Sequence, residues 1–394
     1  MRRMLLNTAL VLGSLTIGLM LSEVCLLAIG FDHAPIYQPD PITGLSLRPN
    51  TNGWHVGEGD AYVSINSQGL HDRERPLDKP AGTYRIAVLG DSFAEAFQVD
   101  VERTFWRLLE KRLQACAFRP GNTIDVMNFG VSGFGTGQEL RLLQARALEY
   151  KPDLVLLAFF PGNDVRNNSR ELEEDKVRPF FFIDETGALK LDDSFAQSAE
   201  FRRRSGWLRQ FGKELSKHSR TLQLIYHVKD VLQTPHAVTA SAVIEPGLDD
   251  EVFVPPHDNT WKRAWALTER LIVETKKTAE SAGADFVLVS LSVGIQVRPE
   301  KQIREAFAKK LGIPDLFYPE RRLLELRKAS GVRVIALAPK LQSYADDNKI
   351  YLHGFKSTAM GSGHWNEAGH AAAAEVIATD LCRSRGSKST ATKP

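Results

Sequence analysis

Short apolar runs recur along the chain and alternate with segments of helical periodicity. Leu154-Val155-Leu156-Leu157-Ala158 is the clearest run, and it has no polar position to turn toward solvent, as in a strand buried on both faces. The predicted strands cover residues 84–89, 123–128, 153–159, 285–291 and 332–337. The predicted helices cover about 102–116, 137–149, 261–282, 319–330 and 366–383. This alternation predicts a three-layer α/β/α domain with a parallel sheet of about five strands.

The rest of the chain is arranged around this domain, which we expect to span residues 83–385. Residues 32–82 are rich in Pro and Gly near their start, which predicts a linker or collar rather than a strand-rich module. Alternating apolar and polar residues at 62–67 predict a short edge strand. Residues 386–394 are polar, and we expect a disordered tail.

A long insertion, residues 170–260, interrupts the α/β rhythm. Its first part predicts a β-hairpin, with Phe180 to Ile183 and Leu189 to Leu191 on either side of a turn. Residues 201–231 predict a basic amphipathic helix. Its apolar face carries Leu208, Phe211, Leu215, Leu222 and Ile225, and its basic residues are Arg202, Arg203, Arg204, Arg209, Lys213, Lys217 and Arg220. This pattern favours a lid or surface subdomain whose apolar stripe packs on the core. Contact with a membrane surface or an anionic glycan is the alternative.

The N-terminus predicts a membrane anchor, residues 1–31. A charge-free run begins at Met4, and apolar residues continue around Glu23. As a helix, residues 4–30 are about 40 Å long, which exceeds a hydrocarbon core of roughly 30 Å. Arg2 and Arg3 would stay on the cytoplasmic side, which places the rest of the chain outside. A cleaved signal peptide is the competing interpretation, but no A-x-A cleavage site is evident.

Composition excludes some functions and leaves one structural question open. The formal charge of +2 and the lack of a recognition motif argue against nucleic-acid binding. Three cysteines are too few and too scattered for a zinc site. In an extracytoplasmic protein, Cys116 and Cys382 could form a disulfide, and two buried free thiols are the alternative.

Polar residues follow the predicted strands at the sheet edge where ligands bind in open parallel sheets. Ser92 follows the first strand, Gly133 lies in the loop after the second, and Asn163 follows the third. His364 precedes the last helix. A serine needs a base to become a nucleophile, and backbone and amide N–H groups stabilise a developing oxyanion. This set of groups indicates acyl-group hydrolysis or transfer. Asn366 is a plausible N-cap of the last helix, and we expect His370 to be structural.

These motifs resemble the four blocks of the SGNH (GDSL) hydrolase superfamily. The blocks are Leu89-Gly90-Asp91-Ser92, Asn128 to Gly133, Gly162-Asn163-Asp164 and His364. The resemblance implies a flavodoxin-like fold and serine ester chemistry without a metal or an organic cofactor. It implies that Ser92 is the nucleophile and His364 the base. The backbone N–H groups of Ser92 and Gly133, with the Asn163 amide, would form the oxyanion hole.

The segment Asn66-Ser67-Gln68-Gly69-Leu70 and the predicted anchor look like those of membrane-anchored bacterial members of that superfamily. This likeness implies a single-pass inner-membrane protein with its catalytic domain in the periplasm. We expect an esterase that removes O-acyl groups, above all O-acetyl groups, from a cell-surface polysaccharide or another small ester. Transfer of the acyl group to a sugar hydroxyl is the second hypothesis. A glycan-binding scaffold with a vestigial site is the third. The oligomeric state is left open.

The chain departs from the superfamily at one position. Members usually carry an aspartate three residues before the histidine, and this chain has Gly361 there. Loss of that carboxylate can lower turnover by about 10⁴. We favour a Ser92–His364 dyad whose imidazole is held by a backbone carbonyl. The alternatives are a carboxylate elsewhere in the chain (Asp346, Asp347 or Glu367), or a slow or inactive enzyme.

Overall fold

The structure is a computed structural model that describes residues 1–233 and 245–388. The strands, in chain order, are β1 (Tyr37–Asp40), β2 (Gly44–Leu47), β3 (Thr51–Gly57), β4 (Gly59–Ile65), β5 (Thr83–Gly90), β6 (Thr123–Asn128), β7 (Leu154–Phe159), β8 (Phe180–Ile183), β9 (Leu189–Asp192), β10 (Asp285–Ser290) and β11 (Val334–Ala336).

The helices of the first half of the chain are α1 (Arg2–Ala28), α2 (Ser92–Glu95), α3 (Phe105–Ala115), α4 (Thr136–Ala145), α5 (Asp164–Asn168), α6 (Ala199–Arg204), α7 (Trp207–Ser216) and α8 (Arg220–Gln233). The later helices are α9 (Asn259–Ser281), α10 (Gly294–Val297), α11 (Lys301–Leu311), α12 (Tyr318–Ser330), α13 (Ala338–Asn348) and α14 (Glu367–Lys388).

The main sheet has five parallel strands in the order β11-β10-β7-β5-β6. The chain runs from β5 outward to β6 and then crosses back to β7 on the other side of β5. This reversal creates a switch point at the carboxyl end of β5, the place where open α/β sheets bind ligands. The prediction of a flavodoxin-like three-layer domain is confirmed, and every predicted strand of the main sheet is present.

Two helix layers cover the sheet. Helix α3 packs on α14, and α4 packs on α9. All six residues of β7 are buried, as the unbroken apolar run predicted. Cys116 and Cys382 form a disulfide that joins the end of α3 to α14. The structure therefore resolves the question that the sequence left open. Helices α11 and α13 were not predicted from the sequence.

The collar before β5 consists of β-hairpins, so the prediction of a strand-poor linker was wrong. Strands β1 and β2 pair antiparallel, and so do β3 and β4. The predicted strand at 62–67 corresponds to β4, which pairs with β3 instead of with the edge of the main sheet. These strands are short and separated by Gly-rich turns, and such turns have the composition of a linker.

A buried ion network holds the collar against the domain. Arg75 binds Asp72 at 3.1 Å and also contacts Asp125. Arg85, on the first strand of the main sheet, binds the other oxygen of Asp125 at 2.9 Å. Because each of these buried charges has an oppositely charged partner, the network forms a fixed joint. The segment that joins the collar to β5 is therefore anchored to β5 and β6.

The insertion contains the predicted hairpin, β8 paired with β9. The single amphipathic helix predicted for residues 201–231 is divided into α6, α7 and α8. The expectation that its apolar stripe packs on the core was wrong, because Leu208, Phe211, Leu215 and Ile225 are exposed. Helix α14 extends to Lys388, past the predicted start of the disordered tail, and residues 389–394 lie outside the described residues.

Candidate active site

Ser92 begins the short helix α2, two residues after the end of β5. The side chain of Asp91 accepts a hydrogen bond from the N–H of Phe93 at 2.9 Å and so caps this helix. Ala96 ends the helix in the left-handed conformation. The turn places the Ser92 hydroxyl at the carboxyl edge of the sheet, at the switch point.

His364 lies beside Ser92, although 272 residues separate them in the chain. Its Nε2 is 2.8 Å from the Ser92 Oγ. The following Asn366 accepts a hydrogen bond from the N–H of Gly369 at 3.1 Å, as expected of the N-cap of α14. His370 is buried, and its Nδ1 accepts from the N–H of Phe105 at 3.2 Å. The helix start therefore positions His364, while His370 packs inside the domain.

Glu58 provides the carboxylate that the histidine block lacks. Its Oε2 lies 2.6 Å from the Nδ1 of His364, and its Oε1 accepts from the His364 N–H at 2.5 Å. Glu58 therefore binds both the ring and the backbone of the histidine. The favoured Ser92–His364 dyad was wrong, because the collar inserts a carboxylate at the position where a backbone carbonyl was expected. Ser92, His364 and Glu58 form a continuous hydrogen-bonded chain.

Glycines allow this contact to form. Glu58 lies at the tip of the β3–β4 hairpin, between Gly57 and Gly59, and both glycines have positive φ. A Cβ on Gly59 would lie 2.1 Å from the carbonyl oxygen of Gln98, and a Cβ on Gly363 would lie 2.0 Å from the Glu58 Oε1. A side chain at either position would displace the hairpin tip or the carboxylate.

Gly361 stands three residues before His364, where the resemblance led us to look for an aspartate. Gly361 has a φ of +84°, and a Cβ there would approach the Arg298 guanidinium to 3.1 Å. An aspartate would be both strained and crowded at this point of the loop.

The proposed substitutes for that aspartate are not at the site. Asp346 forms a two-point ion pair with Arg304, at 2.7 and 2.8 Å. Glu367 is paired with Arg103, and Asp347 is exposed. These three alternatives from the sequence were therefore wrong, since the structure places each carboxylate elsewhere.

The charges around His364 favour its protonated form. Burial by itself lowers the pKa of this imidazole, but the hydrogen bond and the charge of Glu58 outweigh burial and raise the pKa above 6.5. Burial likewise acts to raise the pKa of Glu58, yet the contacts with His364 bring it below its ordinary value. The carboxylate and the imidazolium stabilise each other, as the last two members of a catalytic triad do.

Buried polar groups hold the loop that carries His364. The Nδ1 of His353 lies 2.7 Å from the Gly363 carbonyl oxygen, and its Nε2 lies 2.9 Å from the Ser292 Oγ. Trp365 donates its indole N–H to the same hydroxyl at 2.9 Å. Burial lowers the pKa of His353 to about 4, so its ring is neutral and can bridge the two groups. The residues on both sides of His364 are thus linked to Ser292, in the segment that follows β10.

Gly133 and Asn163, the predicted oxyanion donors, follow the strands on either side of β5. Gly133 has a φ of +74°, and its carbonyl oxygen is held by Arg178 at 3.0 Å. The N–H of the preceding Ser132 donates to Glu95 at 3.0 Å. Asn163 precedes α5, and its side chain adjoins Asp91. The fold therefore brings both residues to the edge of the sheet that carries Ser92.

Buried carboxyl groups lie beneath the serine turn. Asp91, Glu95, Glu139 and Asp164 are nearly or fully buried. Burial raises the pKa of Asp91 to about 6 and the pKa of Glu95 to about 8. The pKa values of Glu139 and Asp164 are also raised, first by burial and then by neighbouring carboxyl groups. Among the described residues, neither oxygen of Glu139 has a hydrogen-bond partner. Burial therefore favours the neutral forms of Glu95, Glu139 and Asp164.

The end of the insertion returns to the site. Glu245 accepts a hydrogen bond from the N–H of Gly363, next to the catalytic candidate His364. Three residues further on, the Leu248 side chain lies near Gly162, and the Asp249 N–H donates to the Gly162 carbonyl oxygen at 3.2 Å. The insertion therefore contacts both the asparagine block and the histidine block.

Aromatic rings form the apolar side of the site. The Phe93 ring lies 4.9 Å from the His364 ring and 4.2 Å from the Phe160 ring, measured between centroids. Phe93 directly follows the serine, and Phe160 directly follows β7. Both Phe93 and Phe160 are buried, so these rings support the site from inside the domain.

Sequence reasoning missed Glu58. The only signal was Gly57-Glu58-Gly59, a charged residue between two glycines before an alternating strand. That pattern is typical of a solvent-exposed turn, and nothing in it indicates a partner 306 residues away.

Comparison with known proteins gives a likeness in solved structures alone. No protein-family model matches the chain, and no curated protein matches it. An acetyl xylan esterase, AlAXEase, shares 10% identity over 75% of this chain and 98% of its own, with a TM-score of 0.38.

Two further solved structures are similar to the chain at the same level. A protein of the G-D-S-L family from Desulfitobacterium hafniense, described as lipolytic, shares 13% identity over 75% of this chain and 99% of its own, with a TM-score of 0.35. A mutant of Axe2, an acetyl-xylooligosaccharide esterase from Geobacillus, shares 12% identity over 76% of this chain and 95% of its own, with a TM-score of 0.36. At this level of likeness no activity is carried over, and the function is inferred from the residues of this chain.

Proposed function

We propose that the protein is a serine esterase that works through an acyl-enzyme, with Ser92, His364 and Glu58 as its catalytic triad. The observation that carries the proposal is the unbroken chain of hydrogen bonds from the Glu58 carboxylate through the imidazole to the Ser92 hydroxyl, at 2.6 and 2.8 Å. A scaffold or binding module would have no use for a half-buried carboxylate that orients a histidine toward a serine. The third hypothesis from the sequence is therefore the least supported.

The proposed reaction uses each of these groups in turn. His364 Nε2 accepts the hydroxyl proton as Ser92 Oγ attacks the ester carbonyl carbon, and Glu58 holds the proton on Nδ1 and stabilises the imidazolium. The N–H groups of Ser92 and Gly133 and the Asn163 amide would bind the oxyanion. The C–O bond to the alcohol then breaks, and His364 returns the proton to the leaving oxygen. Water, activated by the same base, hydrolyses the acyl-enzyme and restores Ser92.

The substrate part of the proposal is O-acyl groups, above all O-acetyl groups, on a cell-surface polysaccharide. Helix α1 is long and apolar enough to cross a membrane, and a disulfide joins α3 and α14. Both features suit a domain that faces the periplasm from a bacterial inner membrane.

Fluorophosphonate labelling of the full chain in detergent tests the acyl-enzyme proposal. We expect the label on Ser92, located by mass spectrometry, and no label on the Ser92→Ala variant. A folded wild-type chain that takes no label would contradict the proposal, and a thermal melt would establish that it is folded.

Acetate release from an acetylated oligosaccharide then tests the substrate class. Free acetate that depends on Ser92 supports hydrolysis. Acetyl groups found on an added sugar acceptor in place of free acetate would show the transferase of the second hypothesis.

A further inference from the structure

Helix α7 packs on the protein with its polar side. Gln210 accepts a hydrogen bond from the Arg48 guanidinium at 2.6 Å, and Arg48 also contacts Glu214 at 3.4 Å. At the end of the helix, Lys217 donates to the Pro49 carbonyl oxygen at 2.8 Å. Amphipathic helices of water-soluble domains ordinarily turn their apolar side inward. In this helix the orientation is reversed.

The apolar side of α7 therefore faces outward, and part of α8 does the same. The exposed fractions on α7 are 73% for Trp207, 66% for Leu208, 56% for Phe211 and 45% for Leu215. The exposed fractions on α8 are 56% for Ile225, 46% for Val228 and 78% for Leu232. Large apolar side chains at helical spacing on two consecutive helices form a surface that water does not favour. We call these seven residues the apolar face.

The end of the membrane helix α1 is attached to the start of α8. Glu23, near the end of α1, accepts hydrogen bonds from the N–H of Arg220 at 2.7 Å and from the N–H of Thr221 at 3.1 Å. The Ser219 hydroxyl donates to the same carboxylate at 2.9 Å. Glu23 thus caps the positive end of the α8 dipole. The junction between α7 and α8 is therefore held at the level of residue 23.

That level coincides with the edge of a bilayer. From Met4 to Glu23 a helix rises about 28 Å, close to the roughly 30 Å of a hydrocarbon core. If α1 crosses the membrane, its junction with α8 lies where the acyl chains end. The tryptophan at the start of α7 is typical of this depth. Exposed arginines flank it, among them Arg202, Arg203 and Arg209.

We propose that the apolar face lies in the interface of the bilayer that α1 crosses. It would be a second membrane contact beside the anchor, on one side of the bilayer only. Its apolar side chains reach the acyl chains, and the neighbouring arginines lie among anionic headgroups. This inference rests on the anchor in the proposed function and does not depend on esterase chemistry. A polysaccharide partner would be recognised through the arginines and would leave the apolar side chains uncovered. A lipid interface accounts for both.

Spin labels on the full chain in liposomes of phosphatidylethanolamine and phosphatidylglycerol test the inference. The background is Cys25→Ser, which removes the free cysteine of the anchor helix. One label is placed by Phe211→Cys on the apolar face. Leu12→Cys marks the anchor, and Lys301→Cys, at a side chain 72% exposed on α11, marks water. Collisions with oxygen and with an aqueous nickel chelate then report the surroundings of each label.

We expect the ratio of oxygen access to nickel access at position 211 to lie between the ratios at positions 12 and 301, with a clear loss of nickel access relative to position 301. A label at 211 that matches 301 while 12 stays in lipid would overturn the inference and leave the anchor intact. If the label at 12 also meets the nickel chelate, the anchor itself is wrong. Line broadening at 211 that disappears on dilution with unlabelled protein would show a second copy on the face and would also overturn the inference. Ester turnover of each variant reports the catalytic proposal separately.

Discussion

At the scale of single residues, Glu58 is the residue that completes the proposed catalytic site. It lies on a hairpin of the collar, outside the blocks that resemble a known superfamily and 306 residues before His364, yet it binds His364 through the ring and the backbone. A carboxylate in this position holds the imidazole in one tautomer and stabilises its charged form. The collar is thus part of the proposed catalytic machinery.

We expect Glu58→Gln to lower kcat by about 10³–10⁴, because the amide cannot stabilise the imidazolium. The variant should also shift the pH profile. The pKa of wild-type His364 is raised above 6.5 by Glu58, and kcat/KM falls as the pH drops through that pKa, since only neutral imidazole accepts the Ser92 proton. Without the carboxylate, burial still lowers the pKa, so the acid limb should move to lower pH.

The pH profile of kcat/KM on a soluble ester measures both effects of Glu58→Gln. Glu74→Gln, an exposed carboxylate of the same collar, serves as the control and should leave kcat and the profile unchanged. An unchanged kcat in Glu58→Gln would refute the triad, and the Ser92–His364 dyad would then be favoured.

A second prediction concerns the effect of the buried carboxyl group of Glu139 on stability. Glu139 is fully buried, and its raised pKa means that the folded state holds a proton which the unfolded chain releases near pH 4.5. The contribution of this group to stability is fully present below that pH and is lost as the pH rises. Glu139→Gln keeps the shape without the ionisable proton.

We therefore expect Glu139→Gln to raise the Tm by a few degrees at pH 8 and to have less effect at pH 5. Differential scanning calorimetry at the two pH values measures the difference. The exposed Glu149→Gln is the matched control, and it should not raise the Tm at pH 8. A loss of stability in Glu139→Gln at both pH values would contradict the assignment of a buried neutral acid.

At the scale of elements, the site depends on the contact between the β3–β4 hairpin and the loop before α14. The tip of the β3–β4 hairpin and the loop before α14 approach so closely that a Cβ at Gly363 would lie 2.0 Å from the Glu58 carboxylate. The His353 ring and the hydroxyl of Ser292 hold that loop from the other side. Hairpin and loop must therefore both keep their backbone shape for the triad to form.

We expect Gly363→Ala to lower kcat by about 10²-fold or more, because the methyl group displaces Glu58 from the imidazole. Steady-state kinetics measures this loss. Gly312→Ala is the control, because Gly312 has a similar φ of +69° and open space around it. It carries the same backbone strain and should lose stability without losing kcat. Equal kcat in the two variants would exclude the proposed steric effect.

At the scale of the whole molecule, the disulfide closes most of the domain into one loop. Cys116 and Cys382 are 266 residues apart, and a cross-link over so long a segment removes much of the entropy of the unfolded chain. The bond joins two helices of the same layer and lies away from the triad. Its effect should therefore fall on stability.

We expect the double substitution of Cys116 and Cys382 by Ser to destabilise the folded state by about 2–5 kcal/mol. The turnover number at moderate temperature should stay close to that of the wild type. Urea unfolding with and without a reductant measures the difference, and the reductant should have no effect on the double variant. Wild-type unfolding that is insensitive to the reductant would show that the bond is not formed.

Much of the fold could be predicted from the sequence because its signals are local. The apolar runs such as Leu154 to Ala158 mark strands buried on both faces, and their order with the helices indicates a parallel sheet. Ser92, Gly133, Asn163 and His364 could be selected because the carboxyl ends of such strands meet at one edge. The collar hairpins escaped prediction, since short strands with Gly-rich turns look like a linker.

The sequence by itself determined the layered α/β domain, the apolar first helix and the residue types at the edge of the sheet. Only the tertiary structure decided that Glu58 completes the site, that Cys116 pairs with Cys382, and that the apolar side of α7 faces outward. These features depend on which surfaces meet after the chain has folded. Contacts across 306 or 266 residues leave no periodicity in the sequence, because periodicity records only the neighbours along a helix or a strand.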